Sequence, residues 1–214
     1  LRVLTTNPGA SVDSYCSLLH IHPATFHRHQ RLLFQSLAIM LNAMSPSKGA
    51  GEASGVTYRA RQQLPGELAD FCGREEEKAT LSAAIRAGAT IVAIQGMGGV
   101  GKTELGVHVA RAVIDQFPDA QILLALHGTR RQPMSVVQAL QSIIRLFTAE
   151  KLPGALEELL PIYRSCLHGK RVIIVADDAR DAEHVRSFVP PTGNVLIITS
   201  RQRFVLPGME TVVL

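Results

Sequence analysis

The spacing of hydrophobic residues predicts two kinds of segment along the 214-residue chain. Over residues 1–44, apolar side chains recur at steps of three and four residues, which is typical of amphipathic helices. From residue 63 to residue 214, short apolar runs alternate with helical patterns, which predicts β-α-β crossovers. Residues 45–62 separate the two segments and begin with a stretch rich in Ser, Gly and Ala, so we expect a flexible linker there.

The C-terminal segment predicts a mostly parallel sheet of five strands with helices on both faces. The apolar run at residues 172–176 is uninterrupted, as in a strand that is buried on both sides of a parallel sheet. The strands are expected at residues 90–95, 121–126, 171–176, 195–199 and 210–214, and the helices at 74–87, 102–116, 134–148, 154–167 and 181–188. The predicted fold class is therefore α/β, preceded by a small all-α module.

Composition excludes several classes of protein. With 46% hydrophobic and 19% charged residues the chain is globular, and its apolar runs are too short for a membrane-spanning helix, so no membrane contact is predicted. Three widely spaced cysteines match neither a disulfide framework nor a zinc site, which favours a reducing, cytoplasmic setting. The net charge of +4 does not by itself indicate nucleic acid. Because the first residue is Leu, we expect a piece of a longer protein.

The strongest chemical signal is a glycine-rich octapeptide at residues 96–103, which reads GMGGVGKT and fits G-x-x-x-x-G-K-[ST]. It follows a predicted strand and opens a predicted helix, as a phosphate-binding loop requires. Glycines let backbone N–H groups turn toward phosphate oxygens, and the helix directs its positive end at the same anion. We therefore predict that ATP or ADP binds here, through Gly96, Gly98, Gly99, Val100, Gly101, Lys102, Thr103 and Glu104.

Four side chains are predicted to act on the phosphates. Lys102 is expected to reach the β- and γ-phosphates, and the Thr103 hydroxyl to ligate Mg²⁺. Asp177 and Asp178 follow the most apolar strand, at the edge of the sheet where open α/β folds bind ligands. Asp177 is predicted to hold Mg²⁺ through its water shell, and Asp178 to orient or deprotonate an attacking water. The alternative is an Asp-Asp turn that only caps the next helix.

Arg201 lies just beyond the fourth predicted strand, in the same sheet as the phosphate-binding loop. From there its guanidinium can reach the γ-phosphate and respond to its loss, although a solvated surface arginine is the alternative. The predicted catalytic set is thus Lys102, Asp178 and Arg201.

Four motifs, in this order, resemble the NB-ARC-type nucleotide-binding domain of the STAND signal-transduction P-loop ATPases. They are QLP at 63–65 with FCGRE at 71–75, the loop at 96–103, the strand and aspartates at 171–178, and TSR at 199–201. The resemblance covers residues 63–214 and implies that Pro65, Phe71, Gly73 and Arg74 contact the nucleotide. It also implies a switch in which ADP is held at rest, ATP exchange releases a self-associating state, and slow hydrolysis resets it.

Two features depart from that family's pattern. Glu104 stands where the family more often has a small or apolar residue, and its carboxylate is expected to disturb the electrostatics of the phosphates. The helical and winged-helix subdomains of the family would follow residue 214. Because those subdomains help to exclude water, the chain is predicted to be a slow ATPase, or inactive as a fragment.

The N-terminal segment resembles the helix-turn-helix-like modules that precede such ATPase domains in some bacterial regulators. An alternative function is therefore an ATP-dependent, DNA-binding transcriptional regulator that contacts DNA through residues 20–31. A helix pair that packs or binds protein explains the same pattern, and a zinc site at the four histidines of this segment would lack cysteine or carboxylate partners. The histidines are His20, His22, His27 and His29, and the candidate DNA contacts are Thr25, His27, Arg28, His29 and Arg31. A metabolic kinase on a P-loop fold is a third possibility, for which no acceptor site is recognisable.

Overall fold

The computed structural model describes residues 62–66 and 71–214 of the chain. The chain divides into two units, residues 1–51 and 52–214, and every described residue belongs to the second unit. The predicted helical module at residues 1–44, the start of the linker and the candidate DNA and zinc residues therefore lie outside the described residues.

Five parallel strands form one sheet in the order β2-β3-β4-β1-β5. The strands are β1 (Ile91–Gln95), β2 (Ala120–Ala125), β3 (Val172–Ala179), β4 (Val195–Ser200) and β5 (Met209–Val213). Because β4 lies between β1 and β3, the strand that leads into the glycine loop and the strand that carries the aspartates are not adjacent. The end of β4 therefore lies between the loop and the aspartates.

Helices cover both faces of this sheet, which confirms the α/β class that was predicted for the C-terminal segment. They are α1 (Glu75–Arg86), α2 (Lys102–Ala112), α3 (Val136–Ile144), α4 (Leu156–Leu167) and α5 (Ala182–Arg186). Side chains of β3 alternate between two hydrophobic clusters, since successive strand residues point to opposite faces. Ile174 and Ala176 belong to the cluster with α3 and α4, whereas Ile173 and Val175 belong to the cluster with α1 and α2.

Three predicted boundaries are wrong by three or four residues, and one of them is the end of α3, which was expected at residue 148 and lies at Ile144. The helix expected over residues 102–116 ends at Ala112, and the chain continues as a 3₁₀ turn at Ile114–Gln116. Val113 has a non-helical φ of −121°, and its side chain and that of Phe117 are both buried in the core. The strand expected to end at residue 176 runs on to Ala179, through both aspartates.

Among the described residues, no helix combines the length and the apolar character that crossing a lipid bilayer demands.

Candidate nucleotide-binding site

The glycine loop connects the end of β1 to the start of α2. Gly96, Gly99 and Gly101 all have positive φ angles, of 151°, 84° and 89°, which favour glycine. A Cβ atom on Gly96 would also collide with the carbonyl oxygen of Leu214. The loop conformation therefore depends on the two glycines that the motif specifies, Gly96 and Gly101, and also on Gly99.

Lys102 is the first residue of α2 and is 8% exposed. Its ammonium donates a hydrogen bond to the carbonyl oxygen of Met97, at 2.5 Å between Nζ and O. The charge therefore lies within the loop, beside the backbone groups that are predicted to surround the phosphates.

Asp177 joins three elements of the site. Its Oδ1 atom accepts hydrogen bonds from the Thr103 hydroxyl on α2, at 2.5 Å, and from the Thr199 hydroxyl on β4, at 2.7 Å. The Thr199 oxygen also accepts a hydrogen bond from the backbone N–H of Asp178, at 2.9 Å. The threonine of the loop and the first aspartate are thus in direct contact, and Thr199, for which no separate role was predicted, connects both aspartates.

A β-bulge places the two aspartates at the same edge of the sheet. The register between β3 and β4 passes from Ala176–Ile198 to Ala179–Ser200, so Asp177 and Asp178 together oppose Thr199 alone. Asp178 has a φ of 58°, in the left-handed region, and both aspartates are buried. In a regular strand their side chains would point to opposite faces, so the bulge is what brings both carboxylates into one site.

The two aspartates do not cap the following helix, so that alternative is wrong. Asp181 is the residue before α5, and its Oδ1 accepts a hydrogen bond from the backbone N–H of His184, at 2.8 Å. Burial raises the pKa of Asp181, but the hydrogen bonds from Arg180 and from the His184 backbone outweigh this and hold the pKa below its ordinary value.

Arg201 lies between the glycine loop and the second aspartate. Its Nε is 3.7 Å from Asp178 Oδ1, and its guanidinium is 3.1 Å from the position of a Cβ on Gly98. The side chain is 44% exposed, so it has solvent on one side and the site on the other. Arg201 is therefore exposed and also close to the site, and its predicted contact with the γ-phosphate stays a prediction.

The loop after β2 also contacts the site, although no sequence motif predicted this. Asp178 Oδ2 accepts hydrogen bonds from the Thr129 hydroxyl, at 2.8 Å, and from the Thr129 backbone N–H, at 3.3 Å. Gly128 donates its backbone N–H to the Asp178 carbonyl oxygen, at 2.6 Å. Sequence reasoning missed both residues. The available signal was their place just after a strand, because all parallel strands end at the same edge of the sheet.

The first of the four motifs, at residues 63–65 and 71–75, contacts α2. Arg111 donates from Nε to the Pro65 carbonyl oxygen, at 2.9 Å, and from Nη2 to that of Leu64, at 3.3 Å. The Phe71 ring stacks on His108, with ring centroids 4.5 Å apart, and lies 3.7 Å from the position of a Cβ on Gly101. Pro65 is therefore tied to α2, and Phe71 lies beside the glycine loop.

Two of the remaining residues that are predicted to contact nucleotide, Arg74 and Glu104, have partners within the protein. Gly73 and Arg74 both have positive φ, and Arg74 donates to the Glu77 carboxylate, at 2.9 Å. This hydrogen bond holds the pKa of Glu77 below its ordinary value. Glu104 Oε1 lies 3.7 Å from Nε2 of His108, one turn further along α2. The predicted contacts of Gly73, Arg74 and Glu104 with nucleotide stay predictions.

The oxygen atoms at Thr103 and Asp177 fit a magnesium ion. A hydroxyl and a carboxylate are hard donors, and Mg²⁺ binds through one or two such groups, with water and phosphate oxygens as its other ligands. Within the described ranges there is no group of three or more His, Cys, Asp or Glu residues that would hold a metal by itself.

These features together define a class of protein. A glycine loop between a buried strand and a helix, with an acidic strand two positions away in a parallel sheet, is the arrangement of a P-loop NTPase. This fold implies nucleotide binding. The family model of the NB-ARC domain matches residues 75–211. The chain belongs to the NB-ARC domain family, which confirms the resemblance.

Two curated proteins are similar in sequence to this chain. The chain is 40% identical over 171 residues to regulatory protein AfsR of Streptomyces coelicolor, a match that covers 74% of this chain and 17% of that protein. It is 39% identical over 150 residues to regulatory protein AfsR of Streptomyces griseus, which covers 67% and 15% respectively. The chain therefore spans about a sixth of the length of these relatives.

Among solved structures, that of Cdc6p from Pyrobaculum aerophilum matches 65% of this chain and 41% of its own, with a TM-score of 0.42 and 16% sequence identity.

Proposed function

We propose that residues 63–214 form the nucleotide switch of a regulatory protein, which binds ATP or ADP and hydrolyses ATP slowly. The observation that carries the proposal is the convergence of the loop threonine, the two aspartates and Arg201 at one edge of the sheet. Each of these groups is of the type that phosphate or Mg²⁺ requires, and the β-bulge brings them together.

Nucleotide binding is assigned to the loop and to the segment held against α2. Backbone N–H groups of residues 96–101 and the Lys102 ammonium receive the phosphates, and Pro65 and Phe71 contribute to the base side. Lys102 supports this role because its charge is already inside the loop. Bound Mg²⁺ neutralises phosphate charge, and Thr103 and Asp177 are the residues that would hold it.

Hydrolysis is assigned to Asp178 and Arg201. A water oxygen bonds to the γ-phosphorus, the bond to the bridging β-γ oxygen breaks, and ADP leaves with that electron pair. The Asp178 carboxylate orients the water and accepts its proton, while Arg201 balances the negative charge on the transferred group. The Asp178–Arg201 pair also supports a sensing role, since a γ-phosphate would compete with Asp178 for the arginine.

The regulatory part of the proposal rests on the relatives, both of which are described as regulatory proteins. We assign to the full-length protein the exchange of ADP for ATP and the self-association or signalling that follows. The scarcity of cysteine supports a cytoplasmic place of action.

The direct test is calorimetric titration of the chain with ADP and with ATP, each in the presence of Mg²⁺. We expect saturable binding of one nucleotide per chain. Absence of binding for both nucleotides would overturn the proposed function.

The change of Asp178 to Asn should lower hydrolysis much more than binding. An amide has the size of the carboxylate but cannot accept the water's proton, and loss of such a group costs roughly 100-fold or more in rate. We expect phosphate release to fall by this factor, with the dissociation constant for ADP within about threefold of wild type. Asp181→Asn is the control, because Asn caps a helix nearly as well as Asp. Equal phosphate release from Asp178→Asn and wild type would reject the assignment.

The DNA-binding alternative depends on residues 20–31, which lie outside the described residues, so it stays a prediction of the sequence. Salt-dependent retention of duplex DNA by the chain would support it.

A further inference from the structure

The carboxylate of Asp178 is held from two sides. On one side, Thr129 donates both its hydroxyl and its backbone N–H to Oδ2. On the other side, Oδ1 faces the Nε atom of Arg201 across 3.7 Å. The oxygen that Thr129 holds is therefore the one away from the arginine, and the oxygen that is held more loosely is the one toward it.

Two donors from one residue fix the orientation of a carboxylate. Rotation about the Cβ–Cγ bond of Asp178 would take Oδ2 away from both the hydroxyl and the N–H of Thr129. The backbone of Asp178, with its φ of 58°, fixes the direction of the Cα–Cβ bond. It does not fix the torsion angle about the Cβ–Cγ bond. Thr129 supplies that constraint.

We propose that Thr129 is a positioning residue for ATP hydrolysis, which turns Oδ1 of Asp178 toward the attacking water. The inference rests on the proposed function of the site. In the step concerned, the water oxygen bonds to the γ-phosphorus, the bond to the bridging oxygen of ADP breaks, and the water's proton passes to Oδ1. The role assigned to Thr129 is exerted through Asp178, by keeping Oδ2 engaged.

The loop that carries Thr129 is held close to Asp178 by backbone hydrogen bonds to β3. Gly128 N–H bonds the Asp178 carbonyl at 2.6 Å, and a Cβ on Gly128 would lie 2.5 Å from that same oxygen and would collide with the Arg180 nitrogen. Leu126 donates its N–H to the Asp177 carbonyl, at 2.8 Å, and accepts a hydrogen bond from the Met134 N–H, at 2.9 Å. The loop is therefore held to β3 by backbone contacts that do not involve the Thr129 hydroxyl.

This construction makes the hydroxyl testable by itself. Thr129 is exposed, so a change to valine removes the hydroxyl without opening a cavity in the core, and the backbone N–H remains. A change to serine keeps the hydroxyl. The matched control is Thr211→Val, at an exposed position of the edge strand β5.

The experiment is single-turnover hydrolysis of ATP, with the chain in excess over nucleotide, for wild type and the three variants. We expect the rate constant of Thr129→Val to fall about tenfold or more, and that of Thr129→Ser to stay within about threefold of wild type. Affinity for ADP, measured by calorimetry, should stay within about threefold for all variants, because the Thr129 hydroxyl bonds Asp178 and not the glycine loop. Thr211→Val should match wild type in both measurements.

A second readout does not depend on turnover. ADP with aluminium fluoride imitates the transferred phosphoryl group and its attacking water, so it should bind wild type more tightly than ADP does. We expect Thr129→Val to lose at least about tenfold of that difference while its affinity for ADP alone is kept.

Each outcome decides the proposal. A valine variant with wild-type rate and wild-type affinity for the aluminium fluoride complex would overturn it, as would equal losses in the serine and valine variants. A wild-type chain that binds nucleotide but does not hydrolyse it would also overturn the positioning role, and would leave nucleotide binding intact. Failure of wild type to bind any nucleotide would instead overturn the proposed function itself.

Discussion

Replacement of Lys102 by alanine is expected to weaken ADP binding about 100-fold or more. The side chain carries the one positive charge of the glycine loop, and charge-assisted hydrogen bonds contribute about 1.5–3 kcal/mol each. Loss of about 3 kcal/mol corresponds to roughly a 150-fold increase in the dissociation constant. Because Lys102 is 8% exposed, little of this interaction is lost to screening by solvent. Calorimetry with ADP and Mg²⁺ measures the change.

A fold control is needed for this variant, since Lys102 also bonds the carbonyl of Met97 inside the loop. Circular dichroism and thermal unfolding should show a folded chain, because the sheet and its two hydrophobic clusters do not depend on this contact. Lys151→Ala, at an exposed position of the loop between α3 and α4, should bind ADP as wild type does. Unchanged ADP affinity in Lys102→Ala would refute the phosphate role of the lysine.

Replacement of Gly128 by alanine is expected to reduce both stability and hydrolysis. The new Cβ would lie 2.5 Å from the Asp178 carbonyl oxygen and 2.8 Å from the Ala179 carbonyl carbon, and these backbone atoms cannot rotate away. Overpacking of this kind costs about 1–3 kcal/mol. The relaxation that relieves it must move the loop from β3, and with it the Thr129 hydroxyl from Asp178. We expect the free energy of unfolding to fall by about 2 kcal/mol and hydrolysis to fall at least tenfold.

Gly154→Ala is the matched control, because no atom lies within 4 Å of the position that its Cβ would take. Chemical denaturation should give this control a stability within about 1 kcal/mol of wild type. A Gly128→Ala chain as stable as Gly154→Ala would show that the loop can accept a side chain, and that its close approach to β3 is not required.

Much of the fold follows from local patterns. Apolar runs at five places predict five strands, and the helices between them require right-handed crossovers and hence a parallel sheet. The glycine loop was equally predictable, because it follows β1 and leads into α2. Its glycines adopt positive φ angles, which other residues rarely adopt. The ends of elements were less predictable. The helical pattern of α2 predicts an end at residue 116, whereas the helix ends at Ala112 and a 3₁₀ turn follows.

The candidate site divides in the same way. Asp177, Asp178 and Arg201 were identifiable because they follow apolar strands, and parallel strands place their ends at one edge. Gly128 and Thr129 could not be identified in this way. A glycine followed by a threonine after a strand occurs in many loops that have no functional role. The partner of Asp177 on β4, Thr199, was visible in a motif, but its hydrogen bonds to both aspartates were not.

The class of fold, the phosphate-binding loop and the acidic strand could be predicted from the amino-acid sequence, because each depends on residues that are close together in the chain. The way in which they meet depends on contacts between distant segments. The position of β4 between β1 and β3, the bulge that aims two successive aspartates at one site, and the approach of Gly128 to β3 all depend on pairing between distant segments. Such pairing is set by the packing of the whole sheet, and no local pattern of residues encodes it.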